Sequence, residues 1–264
     1  MFLTRFRVNT ARAGARRLLS SPQLLHGAVM ASFADHDATP APLPTGGPTI
    51  APATTATAVP VASTAATLAE TSPRVLWRID HNSRTEVLLY LVSPQRPDLT
   101  HLVEQAGWPT TGGWQTYDYG AFLAALTTGS TWAFRLTANP VHSIRRTPDE
   151  PIKRTAHQTH HHQAAWLLKQ QERAGFTVAE KPPEHRLLAE GDERELVVHR
   201  RQGLSFGKND RTNGGRHKVT LTTATFDGRL RVTDPDALRR TLTAGLGKAK
   251  AYGCGLMTLA PVRG

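Results

Sequence analysis

Cysteine is nearly missing: Cys254 is the only one in 264 residues. That excludes an intrachain disulfide and any multi-cysteine zinc or iron–sulfur site, and it suits a reducing cytoplasm. No apolar run reaches the ~18 residues that a bilayer-spanning helix needs. The basic start MFLTRFRVNTARAGARR is followed by neither a continuous apolar stretch nor a small-residue cleavage site, so it reads as part of the fold and not as a secretion signal. Negative charge is also scarce, with 21 Asp+Glu against 32 Lys+Arg and a formal net charge of +11. Such a surplus attracts polyanions, so nucleic acid heads the partner classes, ahead of an anionic membrane. The chain is long enough for two compact cores of about 100 to 150 residues each.

One stretch stands apart. Asp35–Pro73 carries 10 Ala, 9 Thr and 7 Pro, with no aromatic residue, Lys or Arg. It cannot bury enough apolar surface to offset its ordering entropy, so it is expected to be a mobile insertion inside the first domain. Around it the patterning predicts strand, helix, strand, strand, helix, strand. Phe2–Val8 alternates as a strand. Ala11–Phe33 has helical spacing that Pro22 must interrupt. Val75–Ile79 and Val87–Val92 form a hairpin, Asp98–Gln105 and Asp118–Leu126 are short helices, and Trp132–Leu136 is a strand. The second half repeats the plan with a helix over Thr155–Ala174, strands at Phe176–Val178 and Leu196–His199, and Lys218–Phe226 turning at Asp227-Gly228 into Leu230–Val232. A helix over Pro235–Thr243 capped by Asp234 and a last strand at Leu256–Leu259 complete it. The expectation is an α+β protein of two tandem ferredoxin-like (βαββαβ) domains, 1–143 and 144–264.

The basic residues cluster. Between 194 and 218, seven Lys or Arg, among them Arg200, Arg201, Lys208 and Arg216, face two acidic residues across a glycine-rich excursion. A hairpin reaching along a nucleic-acid groove needs such charged flanks, although a solvated loop needs nothing more than the same composition. Gly245–Gly255 joins four glycines to Lys248 and Lys250, which lets backbone approach a phosphate, and a tight structural turn accounts for the glycines equally well. No Ser or Thr follows the lysine as in GxxxxGK[ST], so no nucleotide cofactor is expected. Among the 12 histidines, only His157 and His161 have i,i+4 metal-ligand spacing, with no acidic residue between them, and a polar helix face explains them better than a metal. His26 lies close to Arg12, Arg16 and Arg17. A histidine beside phosphate-binding arginines can act as general acid or base in RNA cleavage, where the substrate's own 2′-hydroxyl is the nucleophile.

These stretches together resemble the CasE family, the endoribonuclease subunit of the CRISPR Cascade complex. The similar segments are the opening MFLTRFRVN, SPQLLHG with His26, FRLTANP at Phe134–Pro140, AAWLLKQ with Trp166, FDGRLRVTDP, and GLGKAKAYGCGLMTLAP. The resemblance implies paired ferredoxin-like domains, metal-independent cleavage at the base of a repeat hairpin, and a product that stays bound and enters Cascade in the cytoplasm. It places the catalytic histidine at His26 and the groove-binding hairpin at 199–218, best matched at Arg200 and Arg201. The remaining RNA contacts are expected from Gln23, Arg12, Arg16, Arg17, Lys208, Arg216, Lys248 and Lys250, with other Cascade subunits as protein partners and no membrane. The chain departs from the family in one place: a tyrosine normally stands three residues before the histidine, and here the residue is Gln23, which cannot exchange a proton near neutral pH.

Overall fold

The computed structural model describes residues 1–33, 73–108, 113–144, 153–188, 190–209 and 216–262, with backbone alone at 208, 209, 216 and 217. The insertion expected over Asp35–Pro73 lies, Pro73 excepted, outside the described residues.

In β1 (Phe2–Val8), Thr4, Phe6 and Val8 point inward while Arg5 and Arg7 face solvent, the period-two pattern of a half-buried strand. Two helices follow, α1 (Ala13–Leu19) and α2 (Pro22–Ala31). Ser21 separates them: its hydroxyl accepts from the Leu24 amide at 3.4 Å, and Pro22 starts the second helix, where a missing N–H costs nothing. Next come β2 (Leu76–His81), β3 (Val87–Ser93), α3 (Thr100–Ala106) and β4 (Trp114–Asp118). The sheet order β2-β3-β1-β4, antiparallel throughout, is ferredoxin-like. Its helix-facing core joins Phe6, Leu18, Leu25, Val29, Trp77, Leu89 and Leu102.

After α4 (Tyr119–Ala124) the chain enters a second sheet through β5 (Thr131–Ala138). The hairpin β6 (Val141–Ile144) and β7 (Lys153–Ala156), α5 (His160–Ala174), β8 (Phe176–Val178), β9 (Leu196–Asn209), β10 (Arg216–Val232), α6 (Pro235–Ala244) and β11 (Met257–Pro261) follow. The order β11-β5-β10-β8 repeats the ferredoxin-like arrangement, and β9 pairs with the proximal part of β10 as a long ribbon.

Three local expectations change. Trp132–Leu136 is a strand, but it pairs with β10 and β11, so the fourth strand of the first unit is Trp114–Asp118 and the sheets change over between Asp118 and Thr131, earlier than 143/144. Asp227-Gly228 is no turn: β10 runs straight through, and a Cβ on residue 228 would sit 2.2 Å from the Glu195 carbonyl oxygen, so glycine serves close strand approach. Thr155 and Ala156 belong to β7, because α5 begins only after Thr159, whose side chain caps the His162 amide.

Arg78 ties the units together. It is 1% exposed, forks onto Asp80 at 2.6 and 2.8 Å, and donates to the carbonyls of Arg135 and Leu256 and to the Thr258 hydroxyl, all three in the second unit. Leu76 and Val92 of the first sheet join Phe134, Trp166, Phe226 and Leu256 in one apolar cluster.

Candidate active site and nucleic-acid interface

Helix α2 buries Leu25 and Val29 and leaves Gln23 and His26, one turn apart, half-exposed. The His26 Nδ1 is buried without a hydrogen-bond partner. Burial, and secondly the Arg74 guanidinium, hold this imidazole below its ordinary pKa, so it is neutral at pH 7. Arg74 is exposed, and its amide is fixed to the Thr243 carbonyl at 3.3 Å. Sequence reasoning missed it because it stands beyond the Ala/Thr/Pro segment and belongs to no motif.

The glycine-rich segment lies against this helix: α2 and β2 both pack on the short 3₁₀ turn Lys250–Tyr252. Gly245, Gly247, Gly253 and Gly255 all have φ between +79° and +90°. A Cβ on residue 253 would meet the Trp77 ring at 2.6 Å, so the glycines are required by the fold whatever the loop binds. Lys248 is exposed and Lys250 half-exposed on this loop.

The β9–β10 ribbon reaches the same place. Phe206 meets the Tyr252 ring edge-on at 4.8 Å. A β-bulge sets Arg200 and Arg201 opposite Ala224, and Arg200 takes a φ of +51°, a conformation that re-aims its side chain. Arg200 donates to the His81 carbonyl and Arg201 to the Gln158 carbonyl at 2.7 Å. Lys208 and Arg216 stand toward the far end of the ribbon, opposite His217 and Asn209 respectively. At its base, Asp227 accepts from Arg135 at 2.7 Å and faces the His199 Nε2 at 3.0 Å, and Arg135 continues to Asp80 at 3.7 Å.

The other expected residues have partners of their own or lie open to solvent. Arg12 donates to the carbonyls of Val103 and Gly107 at the end of α3, and Arg16 to those of Thr10 and Ala11, bonds of the same kind as those of Arg200 and Arg201. Arg17 is exposed on α1. His157 precedes α5 and therefore lacks the helical spacing to His161; its ring lies 4.4 Å from that of His142 and 5.9 Å from that of His162. Among the described residues no group of three or more His, Cys, Asp or Glu is placed to hold a metal, and no helix is long and apolar enough to cross a membrane.

The two sheets and the surface between them define a tandem ferredoxin-like protein in which a histidine-bearing helix, a glycine-rich loop and a basic ribbon meet. The chain belongs to the CRISPR-associated protein family, whose model matches residues 54–261, and within it to the CasE group. The CRISPR-associated endoribonuclease Cse3 of Thermus thermophilus is 32% identical over 197 residues, which cover 74% of this chain and 83% of that protein. The structure of Thermus thermophilus Cse3 bound to an RNA representing a pre-cleavage complex superposes with a TM-score of 0.64 at 24% identity, over 98% of each chain. A subunit of a CRISPR RNA-guided surveillance complex in its pre-nicking state matches with a TM-score of 0.56 at 22% identity, over 99% of this chain and 100% of that one.

Proposed function

We propose that this chain is a metal-independent endoribonuclease. It cuts CRISPR precursor RNA at the base of the repeat hairpin and remains on the mature guide RNA within Cascade, in the cytoplasm. The observation that carries the reading is His26: a half-buried, neutral imidazole beside Arg74, on a helix that rests on the glycine-rich loop. The relative's name, endoribonuclease, and the RNA bound to its structure support it.

The chemistry follows from what a neutral imidazole can do. With Nδ1 buried, Nε2 is the nitrogen that exchanges a proton with substrate. As base it takes the proton of the 2′-hydroxyl, whose oxygen bonds to the adjacent phosphorus while the bond from phosphorus to the 5′-oxygen breaks. The departing oxygen takes a proton from water. The products are a 2′,3′-cyclic phosphate and a 5′-hydroxyl. Arg74, Lys248 and Lys250 stabilise the charge that builds on the phosphoryl oxygens, and Gln23 orients the phosphate by hydrogen bonding. Arg200, Arg201, Lys208 and Arg216 track the A-form stem, chiefly through its phosphates. Arg12, Arg16 and Arg17 extend this basic surface, and the bonds of Arg12 and Arg16 to backbone carbonyls also hold α1 in place.

Incubating the protein with a repeat-hairpin RNA in excess EDTA and analysing the new ends tests the reading. Cyclic-phosphate and 5′-hydroxyl ends are the expected result. Binding without any cutting, with or without added metal, would make the chain a non-catalytic RNA scaffold, the outcome that Gln23 at the tyrosine position favours.

A further inference from the structure

The loop between β8 and β9 is built to hold two leucines in water. It leaves the second sheet where the Ala179 amide donates to the Arg229 carbonyl and the Arg229 amide to that of Glu195, and its arms meet again where the Lys181 amide donates to the Glu193 carbonyl at 2.9 Å. The Lys181 ammonium donates to the Asp192 carboxylate and closes the loop above that point. The second Asp192 oxygen accepts from the Leu187 amide at 2.7 Å, and the Arg186 guanidinium returns to the Lys181 carbonyl at 3.2 Å. Pro182 and Pro183, each with its φ fixed, lead into the 3₁₀ turn Pro183–His185. On this braced backbone Leu187 is 89% exposed and Leu188 64%, and Leu187 is the most exposed large apolar side chain among the described residues. A lone surface leucine needs no explanation. Two adjacent ones, on a loop whose polar groups fix their backbone, form an apolar anchor whose ordering cost is already met before a partner arrives.

The charge of the loop selects that partner. Residues 180–193 hold five acidic residues against two basic ones, in a chain whose net charge is +11. Such a patch repels RNA and an anionic membrane and attracts a basic protein surface. A protein lying along a guide RNA carries that kind of surface, because it must neutralise phosphates. The loop joins the sheet at Arg229, near the opposite end of β10 from Arg216, so a partner here leaves the far end of the ribbon open to RNA. We propose that Leu187 and Leu188 anchor the chain to the protein subunit beside it on the guide RNA, in an apolar pocket whose lysine or arginine rim faces the exposed Glu184 and Glu190. The proposal rests on the reading of the chain as a Cascade subunit and adds the surface and the chemistry of the partner.

The test is a titration of the remaining Cascade subunits, assembled on a guide RNA that ends before the repeat hairpin so that no RNA bridges the two, with the full chain and its Leu187→Ser/Leu188→Ser variant. The unmodified protein should bind this assembly. The variant should bind it at least about 10-fold more weakly, with repeat-RNA cleavage and melting temperature unchanged. Charge reversal in Glu184→Lys/Glu190→Lys should weaken the same binding while the stem-loop is bound at least as tightly as before. Equal affinity of the leucine variant, or charge reversal that leaves binding unchanged or tighter, overturns the proposal. An unmodified protein that cuts repeat RNA but does not bind the assembly also overturns it and leaves the nuclease reading standing. Binding that the leucine variant loses, in a chain that cuts no RNA, does the reverse. A dimer of the chain in sedimentation equilibrium that the leucine variant abolishes would give the loop to a second copy, and would overturn the proposal too.

Discussion

Replacing Arg78 by methionine removes the side chain that joins the two units while keeping its length and apolar stem. Asp80, 7% exposed, then loses both guanidinium bonds, and the carbonyls of Arg135 and Leu256 lose their donor. Breaking a buried ion pair from one side costs about 3–5 kcal/mol, because the remaining charge stays buried without its partner. Arg135, 3.7 Å from Asp80, compensates in part and moves the expectation to the lower end, about 3 kcal/mol. Against a total stability of about 5–15 kcal/mol that is a large fraction. Urea unfolding followed by tryptophan fluorescence measures it, since Trp77 and Trp166 sit in the two cores. The double variant Arg78→Met/Asp80→Leu should recover most of the loss, because it removes the stranded charge. A loss below about 1 kcal/mol in the single variant would refute the claim that this arginine holds the units together.

Three further outcomes follow from the site. Since burial and Arg74 lower the His26 pKa and the proposed base is its neutral form, kcat/KM should stay level as pH falls through 6.5 and drop only below it; a rate that rises as pH falls would make the protonated form active. Alanine at both Arg200 and Arg201 should weaken stem binding and flatten its salt dependence by about 0.7–0.9 per lost phosphate contact. An unchanged slope with weaker binding would confine the two arginines to the carbonyls of His81 and Gln158. Gln23→Tyr, which restores the family's phenol one turn from His26, should speed cleavage with affinity unchanged, and a neutral or slower variant would limit this position to orienting the phosphate.

The doubled α+β plan was readable because it depends on local signals. Pro22 starts α2, Asp234 caps α6 with bonds to the Asp236 and Ala237 amides, and Gly175 ends α5 with a φ of +82°. What the sequence hid was sheet membership: Trp114–Asp118 is five residues long and half-exposed, whereas Thr131–Ala138 has the stronger strand pattern and belongs to the other sheet. Strand pairing is decided by partners distant in sequence, which a local pattern does not encode. The site divided in the same way. His26, the glycine-rich loop and the Arg200–Arg201 pair stood out by motif. The bonds of Arg12 and Arg16 to backbone carbonyls left no trace in the local pattern, and Arg74 gained its place beside His26 only through folding.

The central claim is that His26 moves the proton of a 2′-hydroxyl. It is tested most directly by single-turnover cleavage of two repeat-hairpin RNAs, one all-ribose and one with hydrogen replacing the 2′-hydroxyl at the cut nucleotide, by the unmodified protein and by His26→Ala. The expected result is cutting of the all-ribose RNA alone, a fall of at least about 10²-fold in His26→Ala, and stem affinity within about 1 kcal/mol of the unmodified protein. Full-rate cleavage by His26→Ala, or cutting of the deoxy-substituted RNA, would contradict it.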